Sequence, residues 1–581
     1  MAVVGLGEHR GRRRRRRGRR GDSADPPPPR VTPSRRWPGV ALFGALCLLY
    51  TVVGSILVLR YNIFEPDAPN RVANAGFALQ SRHPHLSAIG FVWNPLPSLV
   101  ELPLVWLSQW PGLSALKHAG LAGVMQSALF MSGAALMVRR IAFDAGVSPL
   151  LRRVATAGFA LHPMIVIYGA SGLSEAAQMF CLLWCVRYLM RWCTSRWVGD
   201  LGWAGIALGV GYLARYEVIP AAAAAVGLVA VMTWRRSPRE VRWSAAAADV
   251  VIVAFPVVTA FFVWAITGWI INDEFFATLS SQYGNASQVA GRLARGTADA
   301  GAQWSVVASR LFGMQPLVGV AVAVAVVVAV ARKRAAPLVP VVVFGATLAF
   351  AAAAQHDSLT FGWFRFYLLA IPMVICVGLS CWQRQTAVRV TAAALVSASV
   401  VVAIPVTTPL IVDQDIAYGQ LEAGFASLLD PQAHPPGEDP ARRRLLSERR
   451  LAQWFDSKDL PDGSVLMDTF LTWGIWLSSE HPKQFVITSD YDFVAALNRP
   501  WDFGIRYIVA TNPGRNVPDA LNRRYPSLWD DGAGVAALGY TTDGPTSDEM
   551  FRVYRTTGRP ISQNQLEVMS TGTLTVATRP R

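Results

Sequence analysis

The 581-residue sequence predicts an α-helical polytopic membrane protein of about eleven transmembrane helices that carries a C-terminal α/β domain. Three observations predict it. Hydrophobic residues make up 52% of the chain and charged residues only 16%, which describes a bilayer protein better than a soluble one. Apolar stretches alternate with arginine clusters over most of the length, as they do when successive spans return to the cytoplasm. From Asp413 onward the composition changes to charges, turns and alternating patterns, which a small folded domain requires.

Residues 1–38 read as a disordered basic cytoplasmic tail, with Arg12 to Arg17, Arg19, Arg20, Arg35 and Arg36 around the run Pro26 to Pro29. No small-residue cleavage site follows the first span, so a retained anchor is expected rather than a signal peptide. That span runs from Val40 to about Leu59, roughly twenty residues and so roughly 30 Å of helix. The arginines before it hold its start in the cytoplasm, and it delivers Glu65-Pro66-Asp67 to the far side.

The second span, near Leu121 to Val138, returns to Arg139-Arg140, and the third leaves after Arg152-Arg153 and reaches Ala170. The fourth runs from Ala176 to Arg191. The fifth and sixth turn at Arg215-Tyr216-Glu217 and end at Arg235-Arg236. The seventh exits near Trp269, and an external loop runs from Ile271 to about Arg310. The eighth ends at Arg332-Lys333-Arg334, the ninth surfaces at Gln355-His356-Asp357, the tenth ends at Arg384 and the eleventh exits near Pro409. Every even-numbered span lands beside arginines, so the membrane domain is expected over 39–410, and 411–581 is expected as an extracytoplasmic α/β domain. Within it, Ser464–Met467, Phe485–Ile487 and Arg506–Ala510 read as strands, Thr469–Ser479 and Asp492–Leu497 as helices, and Met550–Arg555 as an edge strand.

The net charge of +16 comes largely from the tail and from loops assigned to the cytoplasm, so it reports topology and membrane lipids, and no nucleic-acid partner is expected. The six cysteines lie in apolar spans or at their ends, which suggests neither a disulfide framework nor a zinc site.

Ionisable groups gather on one membrane face. Glu65 and Asp67 follow the first span, Glu175 opens the fourth, Arg215 and Glu217 sit at the turn between the fifth and sixth, Asp273-Glu274 follows the seventh, and His356-Asp357 and Arg365 flank the last external turn. Such groups near bilayer depth are costly, and so point to function. The loop after the first span, with Arg71, His83, His85 and Trp93-Asn94-Pro95, is too rich in Trp, Pro and His for a plain connector.

In these segments, over roughly residues 40–410, the chain resembles the polytopic GT-C glycosyltransferases that use polyprenyl-phosphate sugars, the wide group that includes protein O-mannosyltransferases and bacterial envelope mannosyl- and arabinosyltransferases. The acidic motif of the first external loop is that family's most characteristic element, and Glu65-Pro66-Asp67 stands in its place. Trp93-Asn94-Pro95, Ser171 to Glu175, Ala214-Arg215-Tyr216-Glu217 and Phe364 to Pro372 look like its recurrent segments. Many members have an adjacent acidic pair where this chain has Asp67 with Glu65 two residues before it.

The resemblance implies transfer of a sugar, mannose or arabinose first, from a polyprenyl-phosphate donor to an envelope glycan, glycolipid or protein on the extracytoplasmic face of the plasma membrane. Displacing a lipid phosphate from an anomeric carbon needs a base for the acceptor hydroxyl, for which Asp67 is the first candidate and Glu65 the second. The leaving phosphate needs a fixed guanidinium, for which Arg365 is the first candidate and Arg215 the second, although Arg215 is also expected to pair with Glu217 or another acid. Glu175, Asp273, Glu274, His356 and Asp357 are candidates for binding substrate. Asp273 and Glu274 could hold a divalent cation, but their spacing specifies no metal and no cofactor is called for. The competing classes are a lipid or polysaccharide transporter, which would place its charges nearer the midplane, and a non-catalytic envelope scaffold.

Overall fold

The computed structural model describes residues 37–294, 304–382, 386–417, 419–514, 519–542 and 549–558. Nearly all of the basic tail, and Arg384, lie outside them.

The chain is mostly helical, and each of the eleven expected passes falls on helix. Six helices are long and apolar enough to cross a membrane: Pro38–Tyr61, Leu121–Asp144, Val218–Arg236, Arg242–Asn272, Leu338–His356 and Val388–Leu410. Counting the bent pairs Pro149–Ala160 with Pro163–Gly169 and Trp304–Met314 with Val318–Arg332 as one span each raises the number to eight. The remaining three expected passes are Glu175–Ser195, Val198–Ala214 and the segment Phe364–Ser380. The first carries Arg187 and Arg191 in its second half, and the other two are short, so a count of eleven is not established.

Side-chain placement explains why these helices need an apolar surrounding. On Arg242–Asn272, Val251, Phe255, Phe262 and Ile270 all face outward, and Val327 and Val330 do the same on Val318–Arg332. So many large apolar side chains on one surface are stable against lipid tails and costly against water. Inside, small residues let the helices close up. A Cβ added at Gly54 would stand 2.3 Å from the Ala170 carbonyl oxygen, and one at Gly209 would stand 2.8 Å from that of Pro256.

Between the first two spans the chain forms the helices Asp67–Gln80 and Leu96–Leu107, on which the C-terminal domain sits. Val72, Phe77 and Val105 share one hydrophobic cluster with Leu451, Phe455, Trp473 and Trp476. Phe77 meets Trp476 edge-on at 4.7 Å, and the Trp476 ring covers Gly76 so closely that a Cβ there would lie 2.6 Å from it. The segment leading into the domain packs the other way, because Ile411, Ala417 and Leu421 belong to the core of the spans.

The domain itself is a five-stranded sheet of β1 (Val465–Leu466), β2 (Phe485–Val486), β3 (Tyr507–Thr511), β4 (Ala536–Thr541) and β5 (Phe551–Thr556), in the order β2-β1-β3-β5-β4. β1 pairs in parallel with β2 and β3, whereas β5 runs antiparallel to β3 and β4. The parallel strands are connected by the expected helices, Thr469–Ser478 and Phe493–Asn498. The last strand, expected at an edge, is internal. The edge next to it is β4, whose Ala-Ala-Leu-Gly-Tyr-Thr sequence has little of the β-branched or aromatic pattern that marks a strand.

Candidate functional site

The site begins where the first apolar helix ends. Leu57–Tyr61 winds as a π turn and Asn62 takes a left-handed conformation at φ 54°, so the chain turns away from the helix axis. Ile63 and Phe64 are buried as it does so. Pro66, at φ −56°, starts the helix Asp67–Gln80, where its ring already has the needed φ and lacks only an amide hydrogen that the first turn does not use. Asp67 in that first turn gains from the positive end of the helix dipole.

Arg365 lies on the short 3-10 turn Phe364–Tyr367 and is almost fully buried. Its three nitrogens reach three carboxylates: Nη1 lies 3.1 Å from Glu65, Nη2 lies 3.2 Å from Asp67 and Nε lies 3.1 Å from Glu175. The guanidinium also stacks over Trp363, 3.8 Å from the ring centre. Residues 298 positions apart in sequence are thus joined by one side chain. Arg215 makes the second node, with Nη1 at 2.9 Å from Glu175 and Nη2 at 2.6 Å from Glu217. Its expected pairing with Glu217 is present, and Glu175 is shared between the two arginines.

The two acids of the first-loop motif differ sharply. Glu65 is buried, with one oxygen on Arg365 and the other accepting the Leu421 amide at 3.1 Å. Burial pushes its carboxyl up to about 7, against the opposing pull of Arg365. The Asp67 side chain remains 36% exposed and faces a polar cavity of about 320 Å³. Pro66 accounts for the difference, since it ends the extended segment between a residue turned into the protein and one on the opening helix. Both acids touch the cavity, but Glu65 is tied to Arg365 and to the start of the Gln420–Leu429 helix, whereas Asp67 is the more exposed of the two.

Asn70, Arg71, Trp93, Glu217 and Gln288 also line the polar cavity, and the C-terminal domain closes it with Arg444, Phe470 and Trp473. A second cavity of about 340 Å³ is walled by Met179, Leu279, Phe350, Leu359, Leu368 and Leu369. The two cavities share Arg215, Tyr216, Glu217, Asn285, Arg365 and Phe366. A polar chamber and an apolar one thus meet at a pair of guanidinium groups.

Four of the expected substrate-binding residues stand apart from this junction. Asp273 is exposed just beyond the Arg242–Asn272 helix, and Glu274 lines a separate small crevice with Phe91 and Trp264. His356 and Asp357 pair with each other at 2.8 Å, and His356 stacks on Trp304. None of the four lines the polar or the apolar cavity. Asp273, His356 and Asp357 sit at helix ends, where a charge is stable in water. Ser174, which joins Arg71 to Arg215, carried no signal in sequence beyond its place before Glu175.

The carboxylates at the junction are arranged around an arginine. Glu65, Asp67 and Glu175 converge on Arg365, whose guanidinium fills the place where a divalent ion would need their oxygens. Among the described residues His83, Asp490 and Asp492 have metal-like proximity, but Arg82 pairs with both of those aspartates. All six cysteines are free thiols.

No protein-family model and no curated protein matches the chain. Among solved structures it is similar to the oligosaccharyltransferase of Archaeoglobus fulgidus. With the apo form the identity is 11% over 82% of this chain and 70% of that one, at a TM-score of 0.39. With the Zn and sulfate complex it is 11% over 87% and 72%, at 0.40. With the form tethered to an acceptor peptide containing the NVT sequon it is 12% over 91% and 75%, at 0.39. Scores this low transfer neither fold nor chemistry.

Proposed function

We propose that the chain is a membrane glycosyltransferase that moves a sugar from a polyprenyl-phosphate donor to an acceptor hydroxyl in the polar cavity. The observation that carries this reading is the junction. A polyprenyl-phosphate sugar is apolar at one end, anionic in the middle and polyhydroxylic at the other, and the joined cavities offer an apolar wall, two guanidinium groups and a polar chamber in that order. In the reaction the acceptor gives its hydroxyl proton to Asp67 as its oxygen bonds to the anomeric carbon. The bond from that carbon to the phosphate oxygen breaks, and its electron pair leaves with the lipid phosphate. Asp67 suits the base because it is the most exposed of the carboxylates that line the polar cavity, and Arg365 holds it in place. The positive field of Arg215 and Arg365 lies where the phosphate gains charge, and carboxylates at 2.6 to 3.1 Å hold both guanidinium groups there.

The arginine punctuation puts the site and the C-terminal domain on the extracytoplasmic side, with the N-terminus in the cytoplasm. The acceptor is then an envelope glycan, glycolipid or protein, and mannose and arabinose are the sugars to try first. The test is transfer by purified protein from polyprenyl-phosphate mannose or arabinose, compared with the corresponding nucleotide sugars. Label should move from the lipid-linked donor alone. Transfer only from the nucleotide sugar would overturn the reading, and so would movement of the lipid across vesicles without any transfer, which would identify a transporter.

A further inference from the structure

Arg71 is more than nine-tenths buried and yet uses little of its hydrogen-bonding capacity. A guanidinium offers five N–H donors, and leaving them unpaired away from water is costly. Nη2 donates to Ser174 Oγ at 3.3 Å, whereas Nε and Nη1 meet no acceptor among the described residues. No carboxylate among the described residues forms an ion pair with Arg71, in contrast to Arg215 and Arg365. Asp67, Glu101 and Glu175 act on it through space only. Its place is nevertheless well determined. The guanidinium lies 4.6 Å from the centre of the Trp93 ring, which fixes its plane, and Ser98 Oγ donates to the Arg71 carbonyl at 3.1 Å. It lines the polar cavity with Asp67 and Arg215. Ser174 Oγ also accepts from Arg215 Nη1 at 3.2 Å, so a single hydroxyl ties the two guanidinium groups together.

We propose that Arg71, beside Ser174 and Arg215, is an oxyanion site that takes a phosphate group entering the polar cavity. A planar guanidinium with two unmet nitrogens suits two phosphate oxygens, and a ligand bringing negative charge removes the cost of the unpaired cation. The assignment deepens the glycosyltransferase reading by naming the contact for the donor phosphate, and it rests on that reading only for the lipid origin of the phosphate.

Binding of farnesyl phosphate, farnesol and inorganic phosphate to the purified full chain in detergent tests it. The wild type should bind farnesyl phosphate more tightly than farnesol. Arg71→Gln should weaken farnesyl phosphate by about tenfold to a hundredfold, while farnesol binding, which the apolar cavity governs, stays unchanged. Arg71→Lys should recover only part of the loss. If inorganic phosphate alone shows the dependence on Arg71, the site takes free phosphate, and if it competes with farnesyl phosphate in the wild type, both sources share the site. Equal farnesyl phosphate binding by wild type and Arg71→Gln overturns the proposal, as does a parallel loss of farnesol, which would make Arg71 architectural. A wild type that binds phosphate through Arg71 but transfers no sugar would sink the glycosyltransferase reading and leave the oxyanion site standing.

Discussion

Replacing Arg365 with lysine keeps a positive charge and removes the geometry that joins three carboxylates. One ammonium nitrogen cannot stand where Nη1, Nη2 and Nε now meet Glu65, Asp67 and Glu175 at 3.1 to 3.2 Å. Glu175 would keep Arg215 at 2.9 Å, and Asp67 is exposed enough for water to replace its partner. Glu65 would keep only the Leu421 amide. Removing one side of a buried ion pair outright costs about 3 to 5 kcal/mol, and a lysine that keeps its charge but cannot reach Glu65 together with the other carboxylates incurs part of that cost. Glu65 can escape part of that cost by taking a proton, since its carboxyl already sits at about 7. The loss should therefore depend on pH. Thermal unfolding of wild type and Arg365→Lys in detergent should differ most at about pH 8, where Glu65 is charged, and much less at about pH 5.5, where it is neutral in both proteins. An equal difference at the two pH values, or none at about pH 8, would refute the idea that Glu65 depends on Arg365.

Glu65 also carries a pH dependence of its own. Its folded value of about 7 lies above the ordinary 4.5, so the folded state holds the extra proton in that window and stability contributed by this group falls as pH rises through it. Glu65→Gln should lack that part of the slope, and identical Tm profiles for the two proteins would contradict the burial argument. In the apolar cavity, Ala351→Trp should fill space that the lipid chain of the proposed donor would take. Excluding two methylenes costs about 1.6 kcal/mol, so KM for a polyprenyl donor should rise about tenfold or more while a short-chain donor is affected less. An unchanged KM would place the lipid elsewhere.

How much of this could be read from the residues alone follows from what each signal encodes. Apolar runs ending in arginine report where helices meet the membrane surface, and the expected passes do fall on helix. The gathering of Glu65, Asp67, Glu175, Arg215 and Arg365 was legible because each is a charge at the end of an apolar run. The same signature marked Asp273, Glu274, His356 and Asp357, since a helix end looks alike in sequence whether its charge turns inward or into water. The different duties of Glu65 and Asp67 depend on a contact with Leu421, 356 positions away, which no local pattern records. Arg71 was visible as an arginine in the first loop, but not as a buried cation with unmet donors, because burial there comes from Trp93 and the neighbouring helices. The Asp67–Gln80 helix hid behind its Gly and Pro residues and is held by Trp476 of the C-terminal domain. Tertiary packing overrides propensity at such places.

The most direct measurement is sugar transfer by purified Asp67→Asn set beside its donor binding. The substitution preserves size and removes the basic carboxylate, and general-base assistance is worth on the order of 10²- to 10⁴-fold. The variant should bind the polyprenyl-phosphate sugar as the wild type does and transfer it at least about a hundredfold more slowly. Transfer at a near-normal rate would take the base away from Asp67 and contradict the account at its centre.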